Sequence, residues 1–302
     1  MTIKKTVVTS IIERLVIQIL VDDTAGPSGT LGESGFSALA EVFFTDSSNF
    51  KVLYDTGPSP IALLKNSKVL KINLKTIDAI VLSHGHWDHV GGLNEVIGII
   101  GDKVPLICHP QALSPKYFQG QDQIIDIGIQ GIIESIDSLN QKVNLIKVRT
   151  PHELINSVMT TGEIPRRNDY EHLSRKLKDV TTFKNGIKIP DPLEDDLSLI
   201  FHMADDSVVI LCGCCHAGIV NTTSLVADLT SSKNITGIIG GLHLATASNS
   251  RLLYTVEVLK QYPIEIIAPC HCSGLRGKTI FSKVFDKNFR DVTVASKIEF
   301  TA

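Results

Sequence analysis

The sequence predicts an α+β fold of the αββα sandwich type, in which two facing β-sheets are covered on their outer sides by helices. Short apolar runs rich in Val, Ile, Leu and Phe recur in the first third of the chain and again after residue 197. Turn residues separate these runs, as is typical of strands. Helix-like stretches follow strands in both parts. Two β-rich parts that are each closed by helices favour the sandwich.

Strands dominate the first part of the chain. Loops rich in Asp, Ser, Thr, Gly and Pro lie between its apolar runs. The predicted elements here are strands at residues 14–21, 37–44, 51–54 and 78–83 and a helix at residues 93–100. The last of these strands leads directly into a dense group of histidines.

The strand pattern returns near the end of the chain. The predicted elements there are strands at residues 197–203, 207–211, 235–239 and 264–268 and helices at residues 222–231 and 250–261. Between the two parts, residues 110–196 show only mixed helix and loop patterns. We expect one domain over residues 1–302, with residues 110–196 as an insertion that covers the substrate.

Composition and charge exclude several classes of protein. A net charge of −3 lacks the positive surplus with which nucleic-acid-binding proteins neutralise phosphates. No apolar run approaches the roughly 18 residues of a spanning helix, and no cleavage signal follows the N-terminus. We therefore expect a cytoplasmic protein with neither nucleic acid nor membrane as partner. The six cysteines are expected to be free thiols in that reducing compartment.

The strongest functional signal is the run H-G-H-W-D-H at residues 84–89. At the end of an extended strand His84 and His86 project to one face, so that both can bind one metal ion. Asp88 and His89 follow where the chain turns into a helix and can reach a second ion. We expect Asp88 to take part in catalysis as well. The alternative is a polar loop, or histidines that only satisfy hydrogen bonds, but mixed imidazole and carboxylate ligands suit metals such as zinc.

The run at residues 84–89 and the apolar strand before it resemble the signature of the metallo-β-lactamase superfamily. The Tyr-Asp-Thr-Gly turn at residues 54–57 is similar to an early turn of that family, and His271 to its last metal ligand. The resemblance implies the metallo-β-lactamase fold and two divalent metal ions, zinc first, with Mn, Fe or Mg as alternatives. It also implies that Asp55 orients a metal ligand. An aspartate that only nucleates a turn is the alternative.

The remaining ligands depart from the family pattern. Binuclear members add a third histidine, a bridging aspartate after a strand that ends in glycine, and a last histidine. If Gly213 matches that glycine, Cys214 stands in place of the bridging aspartate. Strand periodicity would place Cys214 and His216 on one face, although a buried cysteine is often merely apolar. We predict His216 and His271 as metal ligands, and Cys214 and His243 as ligands or neighbours of ligands; His243 could equally bind substrate.

A separate zinc site made of cysteines is disfavoured. The spacings C-x-C-C-H at residues 212–216 and C-H-C at residues 270–272 do not resemble the paired C-x-x-C ligands of structural zinc sites. The other histidines have no clustered partners, and we expect them to be structural or exposed; they are His109, His152, His172 and His202.

Several stretches narrow the resemblance to one branch of the family. They include G-C-C-H-A-G-I-V-N at residues 213–221, G-G-L-H-L at residues 240–244 and H-C-S-G at residues 271–274. These are similar to the branch that contains the archaeal dihydropterin-methyl-ribofuranosylaminobenzene-phosphate synthases. The resemblance implies transfer of a dihydropterin-methyl group with release of diphosphate, in the biosynthesis of methanopterin-type cofactors.

The predicted substrate is therefore a small phosphorylated or anionic molecule. From the insertion, Glu163, Arg166 and Arg167 are candidate substrate-binding residues, because arginines can clamp phosphate oxygens. A solvated surface is the alternative for such charges. Two other functions stay open, namely a hydrolase of an ester, lactone or phosphodiester that uses a metal-activated water, and a metal-containing ligand sensor without turnover. The sequence leaves open whether the chain forms a homo-oligomer.

Overall fold

The computed structural model describes residues 11–27, 29–101, 103–171, 179–184 and 186–302. The strands in chain order are β1 (Ile12–Val21), β2 (Ser37–Phe44), β3 (Asn49–Tyr54), β4 (Ala79–Val81), β5 (Pro105–Cys108), β6 (Lys116–Gln119), β7 (Ile124–Asp126), β8 (Asn144–Lys147), β9 (His152–Ile155), β10 (Val158–Thr160), β11 (Val180–Lys184), β12 (Ile187–Pro190), β13 (Ser198–His202), β14 (Val208–Cys212), β15 (Ile235–Gly241), β16 (Ile266–Cys270) and β17 (Lys297–Thr301).

Helices connect many of these strands. They are α1 (Pro60–Val69), α2 (Trp87–Val90), α3 (Leu93–Ile100), α4 (Ile136–Lys142), α5 (Ile219–Thr230), α6 (Asn249–Leu259) and α7 (Gly274–Phe285). Among the described residues, none of the helices has both the length and the apolar character needed to cross a lipid bilayer.

The described strands form two large sheets and one small sheet. The first large sheet has the order β17-β1-β2-β3-β4-β5-β8, and the second has the order β16-β15-β14-β13-β10-β9. Their inner faces share one apolar cluster, in which Ile17 and Tyr54 of the first sheet meet Leu199 and Leu211 of the second. Helices α1, α3 and α4 pack on the outer face of the first sheet, and α5, α6 and α7 on that of the second. The predicted αββα sandwich is confirmed.

Several predicted elements have the bounds that the sequence pattern gave them. Strand β2 and helix α3 begin and end at the predicted residues, and β1 begins two residues earlier than predicted. Strand β1 lies between β17 and β2 and is buried along almost its whole length. Its continuous apolar run thus reflects cover on both faces, by the other sheet and by helices.

The segment at residues 110–196 is divided between the sheets. Strand β8 extends the first large sheet beside β5, and β9 and β10 extend the second beside β13. The small sheet has the order β12-β11-β6-β7 and is separate from both. The segment expected as one insertion thus supplies β8, β9 and β10 to the large sheets. These strands have four residues or fewer, too few for a clear alternation of apolar and polar positions.

The parallel strands all point their carboxyl ends to one edge of the sandwich. In the first sheet β3, β4 and β5 run parallel, and in the second β14, β15 and β16 do so. Ligands of α/β sheets commonly bind outside the carboxyl ends of parallel strands. The residues predicted for the metal site follow β3, β4, β14, β15 and β16, so the topology gathers them from distant parts of the chain.

A buried lysine holds the small sheet against this edge. Lys116 Nζ donates to Asp191 Oδ2 at 2.6 Å and lies 3.1 Å from Asp195 Oδ2, and all three side chains are buried. Asp195 Oδ2 also accepts the backbone N–H of Gly85 at 2.9 Å. Burial lowers the pKa of Lys116, but Asp195 and Asp191 outweigh it and raise that pKa above its usual value. The ammonium therefore stays charged and links the small sheet to the loop that carries His84 and His86.

Removing this charge should destabilise the protein. Lys116→Met leaves two buried carboxylates without their cation, which costs roughly 3 to 5 kcal/mol of unfolding free energy. Urea unfolding measures this loss. Lys188→Met is the matched control, because Lys188 is an exposed lysine of the same small sheet and its removal should change the free energy by less than about 0.5 kcal/mol. Equal effects of the two variants would contradict the assigned role of Lys116.

Candidate metal centre

One group of donor atoms consists of His84, His86 and His216. His84 Nε2 lies 3.0 Å from His86 Nδ1 and 3.2 Å from His216 Nε2, and all three side chains are buried. Their donor atoms lie within 4.8 Å of one another, close enough to share one metal ion. The structure thus brings together three of the histidines that the sequence predicts as ligands.

A second group consists of Asp88, His89 and His271. Asp88 Oδ2 is 3.8 Å from His89 Nε2 and 3.5 Å from His271 Nε2. Both of these ring nitrogens are buried, and neither has a hydrogen-bond partner among the described residues. A buried nitrogen without a partner is costly. A cation bound between the two rings and the carboxylate would satisfy both nitrogens, so these residues fit a metal ion.

Hydrogen bonds fix which ring nitrogens face the two groups. Asp55 Oδ2 accepts from Ser83 Oγ at 2.6 Å and lies 2.7 Å from His89 Nδ1, which must therefore donate. Since the Ser83 hydroxyl donates to Asp55, it accepts from His84 Nδ1 at 2.9 Å. In their neutral forms, His84 and His89 thus carry the proton on Nδ1 and present an unprotonated Nε2 that can bind metal. The contacts of Asp55 agree with the orienting role implied by the family resemblance.

The partners of His271 were not expected from the sequence. His271 Nδ1 lies 2.8 Å from Asp23 Oδ1, and its backbone N–H donates to Asp22 Oδ1 at 2.8 Å. Both aspartates lie in the loop after β1, almost at the opposite end of the chain. The Asp-Asp pair resembles an ordinary turn, and only the pairing of the sheets shows what it contacts.

The two groups differ in their affinity for protons. Burial lowers the pKa of His84, His86 and His216, to about 4 for His86. In the second group burial also favours neutral rings, but Asp88 and Asp55 raise the pKa of His89. The pKa of His271 is likewise raised, because the Cys272 thiolate, Asp23 and Asp88 outweigh burial. Protons therefore compete with a metal ion less strongly at the first group than at the second.

Left-handed backbone places several of these side chains. Asp55, Cys215, His243 and His271 have φ angles of 59°, 58°, 48° and 47°. Residues other than glycine rarely adopt this region, at a cost of about 1 to 3 kcal/mol each. Each of these four residues directly follows a strand or lies in the turn after it. The strain turns the chain sharply, so that successive side chains reach the site.

Cys214 lies in the site, but for a different reason from the one predicted. Strand β14 ends at Cys212, so residues 213–216 form a turn and strand periodicity does not apply. The left-handed Cys215 places its own side chain in the apolar cluster under α5, while Cys214 Sγ lies within 4.8 Å of donor atoms of His84 and His89.

Cys272 was not predicted to belong to the site. The donor atoms of Cys214, His243 and Cys272 lie within 4.8 Å of one another, and the two sulfurs are 3.2 Å apart. His243 was predicted only as a ligand or a neighbour of ligands, and this group places it beside two thiols. The C-H-C spacing at residues 270–272 hinted that Cys272 lies near a metal ligand. Its partner Cys214 is 58 residues away in the sequence, so the pairing could not be predicted.

The three candidate substrate-binding residues of the 110–196 segment contact groups outside the two ligand groups. Glu163 contacts His109 at 2.9 Å and Arg149 at 2.7 Å. Arg166 donates to the carbonyl oxygen of Pro192, and Arg167 pairs with Asp228 on α5. Neighbouring carbonyl and carboxylate groups thus hold these side chains in the absence of substrate, and the phosphate clamp stays a prediction.

Two of the histidines expected to lie apart from the metal ligands have carboxylate partners. His109 contacts Glu163, and His202 lies 2.7 Å from Asp206. His172 lies outside the described residues.

A cleft of about 360 Å³ opens above the two groups. Asp88, His86, His216 and His271 line its floor. Its wall is apolar and includes the side chains of Trp87, Phe118, Ile127 and Val180. The last three come from the small sheet or the loop after it. Among the described residues that line this cleft there is neither lysine nor arginine.

Asp55 should control metal affinity without binding metal itself. Asp55→Asn keeps the shape of the side chain but removes the charge that orients His89 and, through Ser83, His84. We expect the affinity for zinc to fall about 10 to 100-fold, as is usual when a partner of a ligand is lost. Competition with a chromophoric chelator measures this change. An unchanged affinity in a folded variant would contradict the role of Asp55.

Comparison with known proteins agrees with this geometry. The family model of the metallo-beta-lactamase superfamily matches residues 42–271, which include both groups. A 7,8-dihydropterin-6-methyl-4-(beta-D-ribofuranosyl)-aminobenzene-5'-phosphate synthase of Methanocaldococcus jannaschii is 28% identical over 293 residues, 96% of this chain and 98% of the relative. An uncharacterized protein of the same archaeon is 32% identical over 271 residues, 89% of this chain and 94% of the relative.

A solved structure extends the likeness to the whole fold. Tm1679, a metal-dependent hydrolase of the beta-lactamase superfamily, superposes with a TM-score of 0.76 at 26% identity and covers 95% of this chain and 100% of its own. The fold, the histidine groups and the match over most of the chain lead to one conclusion: this chain belongs to the metallo-beta-lactamase superfamily.

Proposed function

We propose that this chain is an enzyme with two divalent metal ions, and that it transfers a dihydropterin-methyl group with release of diphosphate. The observation that carries this proposal is the pair of ligand groups on the floor of a cleft without lysine or arginine among its described lining residues. A diphosphate in that cleft needs cations to neutralise it. The metal ions would supply that positive charge when bound.

In this reaction the bond between the methylene carbon and the diphosphate oxygen breaks. A bond forms from that carbon to the amine nitrogen of the second substrate, and the amine releases a proton to solvent. The residues of the chain hold the metal ligands in place, as the contacts of Asp55 with Ser83 and His89 illustrate. Asp88 lines the cleft and belongs to the second group, so it lies where a bound metal ion and a substrate would meet.

The cleft wall supports a flat, aromatic substrate. Trp87 is 44% exposed although it lies beside the ligands, and Phe118 and Ile127 continue its apolar surface. Exposed aromatic rings at a site commonly stack on planar ligands. A pterin ring is planar, and the relative that is 28% identical is named for a dihydropterin product. The synthase reaction therefore fits both the floor and the wall of the cleft.

A metal-dependent hydrolase is the second candidate. Its support is the likeness to Tm1679, which is a metal-dependent hydrolase. In that case a metal-activated water would cleave an ester, lactone or phosphodiester, and no second substrate would be needed. A ligand sensor without turnover has weaker support, because members of both ligand groups line an open cleft where a substrate could reach bound metal.

The metal content should depend on both groups. We expect His86→Ala and His271→Ala to lose one equivalent of zinc each, since each removes a ligand from a different group. Elemental analysis after removal of excess metal measures this. A wild-type protein that binds at most one equivalent, or a loss in neither variant, would contradict the binuclear proposal.

The zinc affinity of the two groups has a predicted pH dependence. The raised pKa values of His89 and His271 mean that protons compete for the second group, so its affinity should rise with pH until these rings are neutral. The lowered pKa values of the first group mean that its affinity should change little at roughly pH 6 and above. Calorimetry in buffers of different ionisation enthalpy measures the protons released at each step.

The reaction itself is tested by incubating the metal-loaded protein with a dihydropterin-methyl diphosphate and a ribosylaminobenzene phosphate. We expect diphosphate to appear only when both substrates are present. Diphosphate release without the second substrate would favour the hydrolase, and tight binding of the pterin without any product would favour the sensor.

A matched pair of variants tests the cleft wall. Trp87→Ala should raise KM for the pterin substrate by about 5 to 10-fold while the metal content stays unchanged, because it removes a stacking surface. Leu253→Ala, which removes an exposed apolar side chain of α6, should leave KM unchanged. Equal KM values for all three proteins would contradict the assigned pterin surface.

A further inference from the structure

Beside the two histidine groups lies a third group of donor atoms that the proposed reaction does not use. It consists of Cys214, His243 and Cys272. Both cysteines are free, and their sulfurs are 3.2 Å apart, well beyond the about 2.05 Å of a disulfide. We propose that these three residues bind an additional thiophilic divalent cation, such as Zn²⁺ or Cd²⁺.

The set of donors fits such a cation. Two thiolates and one imidazole are a known ligand set for zinc, with a fourth position open to solvent or substrate. Soft sulfur ligands select zinc and cadmium over magnesium or manganese. Zinc–sulfur bonds of about 2.3 Å at tetrahedral angles hold two sulfurs roughly 3.8 Å apart. The sulfurs would need to separate by only about 0.6 Å, and Cys272 is partly exposed, so its side chain can move.

The surroundings of Cys272 and His243 hold the donors in position. The backbone N–H of His243 donates to Cys272 Sγ at 3.3 Å. Gly241 leaves room for that sulfur, since a Cβ at this residue would lie 2.7 Å from it. His243 Nδ1 is buried and has no hydrogen-bond partner among the described residues.

The third group is distinct from the other two, although it touches them. His243 and Cys272 belong to neither histidine group, whereas Cys214 Sγ also lies within 4.8 Å of donor atoms of His84 and His89. The His243 ring packs against the His216 ring with 4.5 Å between centroids. The additional cation would therefore lie next to the histidine groups and face the same cleft, which Cys214, His243 and Cys272 all line.

The test is a Cd²⁺ titration of the reduced, metal-free protein under anaerobic conditions, followed by the thiolate-to-cadmium charge-transfer band in the near ultraviolet and by elemental analysis. We expect the wild-type protein to bind one equivalent more than the two that the histidine groups hold. Cys272→Ala and His243→Ala should each weaken this equivalent by roughly tenfold or more and reduce the band. Both variants should retain the equivalents that depend on His86 and His271.

Cys108→Ala is the matched control, because Cys108 is also a free, buried thiol but lies in the apolar cluster outside the first sheet. Its charge-transfer band and metal content should equal those of the wild type. A band that depends on Cys214 but not on Cys272 or His243 would overturn the proposal and leave Cys214 as a ligand of the histidine groups alone. A disulfide between Cys214 and Cys272 that persists after treatment with a reductant, seen as four titrating thiols instead of six, would overturn it as well.

The test of the additional cation can fail independently of the test of the proposed function, on which the inference does not depend. Loss of the third equivalent without loss of diphosphate release would leave the synthase proposal intact. Loss of the two histidine equivalents would remove that proposal whatever the thiols bind.

Discussion

The buried carboxylate of Asp55 is the interaction on which the metal centre depends. It accepts hydrogen bonds from the backbone N–H and the hydroxyl of Ser83 and from Nδ1 of His89. The Ser83 hydroxyl in turn accepts from Nδ1 of His84 and so orients that ring. One charge thereby sets the orientation of a histidine in each ligand group. Charged groups this deeply buried are stable only when hydrogen bonds satisfy them, so the network holds its geometry firmly.

The two sheets meet at this carboxylate. Strand β14 of the second sheet leads into Gly213, and a Cβ there would collide with the side chains of Ser83 and Asp55. A glycine is therefore needed at the point where the second sheet leads into Cys214 and His216, which lie beside the ligands that follow the first sheet. The small sheet is fixed to the same place through Lys116 and Asp195, whose carboxylate binds the N–H of Gly85. The contacts that join the three sheets and the contacts that orient the metal ligands thus lie at the same edge of the sandwich.

Charge is distributed unevenly around the cleft. The floor has histidines and carboxylates and the wall is apolar, whereas Arg167 of the 110–196 segment pairs with Asp228. An anionic substrate would depend on bound cations for its neutralisation, so metal binding and substrate binding would be linked. Thiols at the rim would add a softer kind of ligand to a site whose other ligands are nitrogen and oxygen.

The sequence by itself determined the sandwich, most strand positions and the ligand run at residues 84–89, because apolar periodicity and close ligand spacing are local properties. It also pointed to His216 and His271, each of which directly follows a strand. Only the tertiary structure decided that Cys272 meets Cys214 across 58 residues, that Asp23 holds His271, and that Arg166 and Arg167 contact Pro192 and Asp228. These contacts form because parallel strands bring their carboxyl ends together and because the backbone turns in the left-handed region at Cys215, His243 and His271. The residue pattern of a single strand contains neither piece of information.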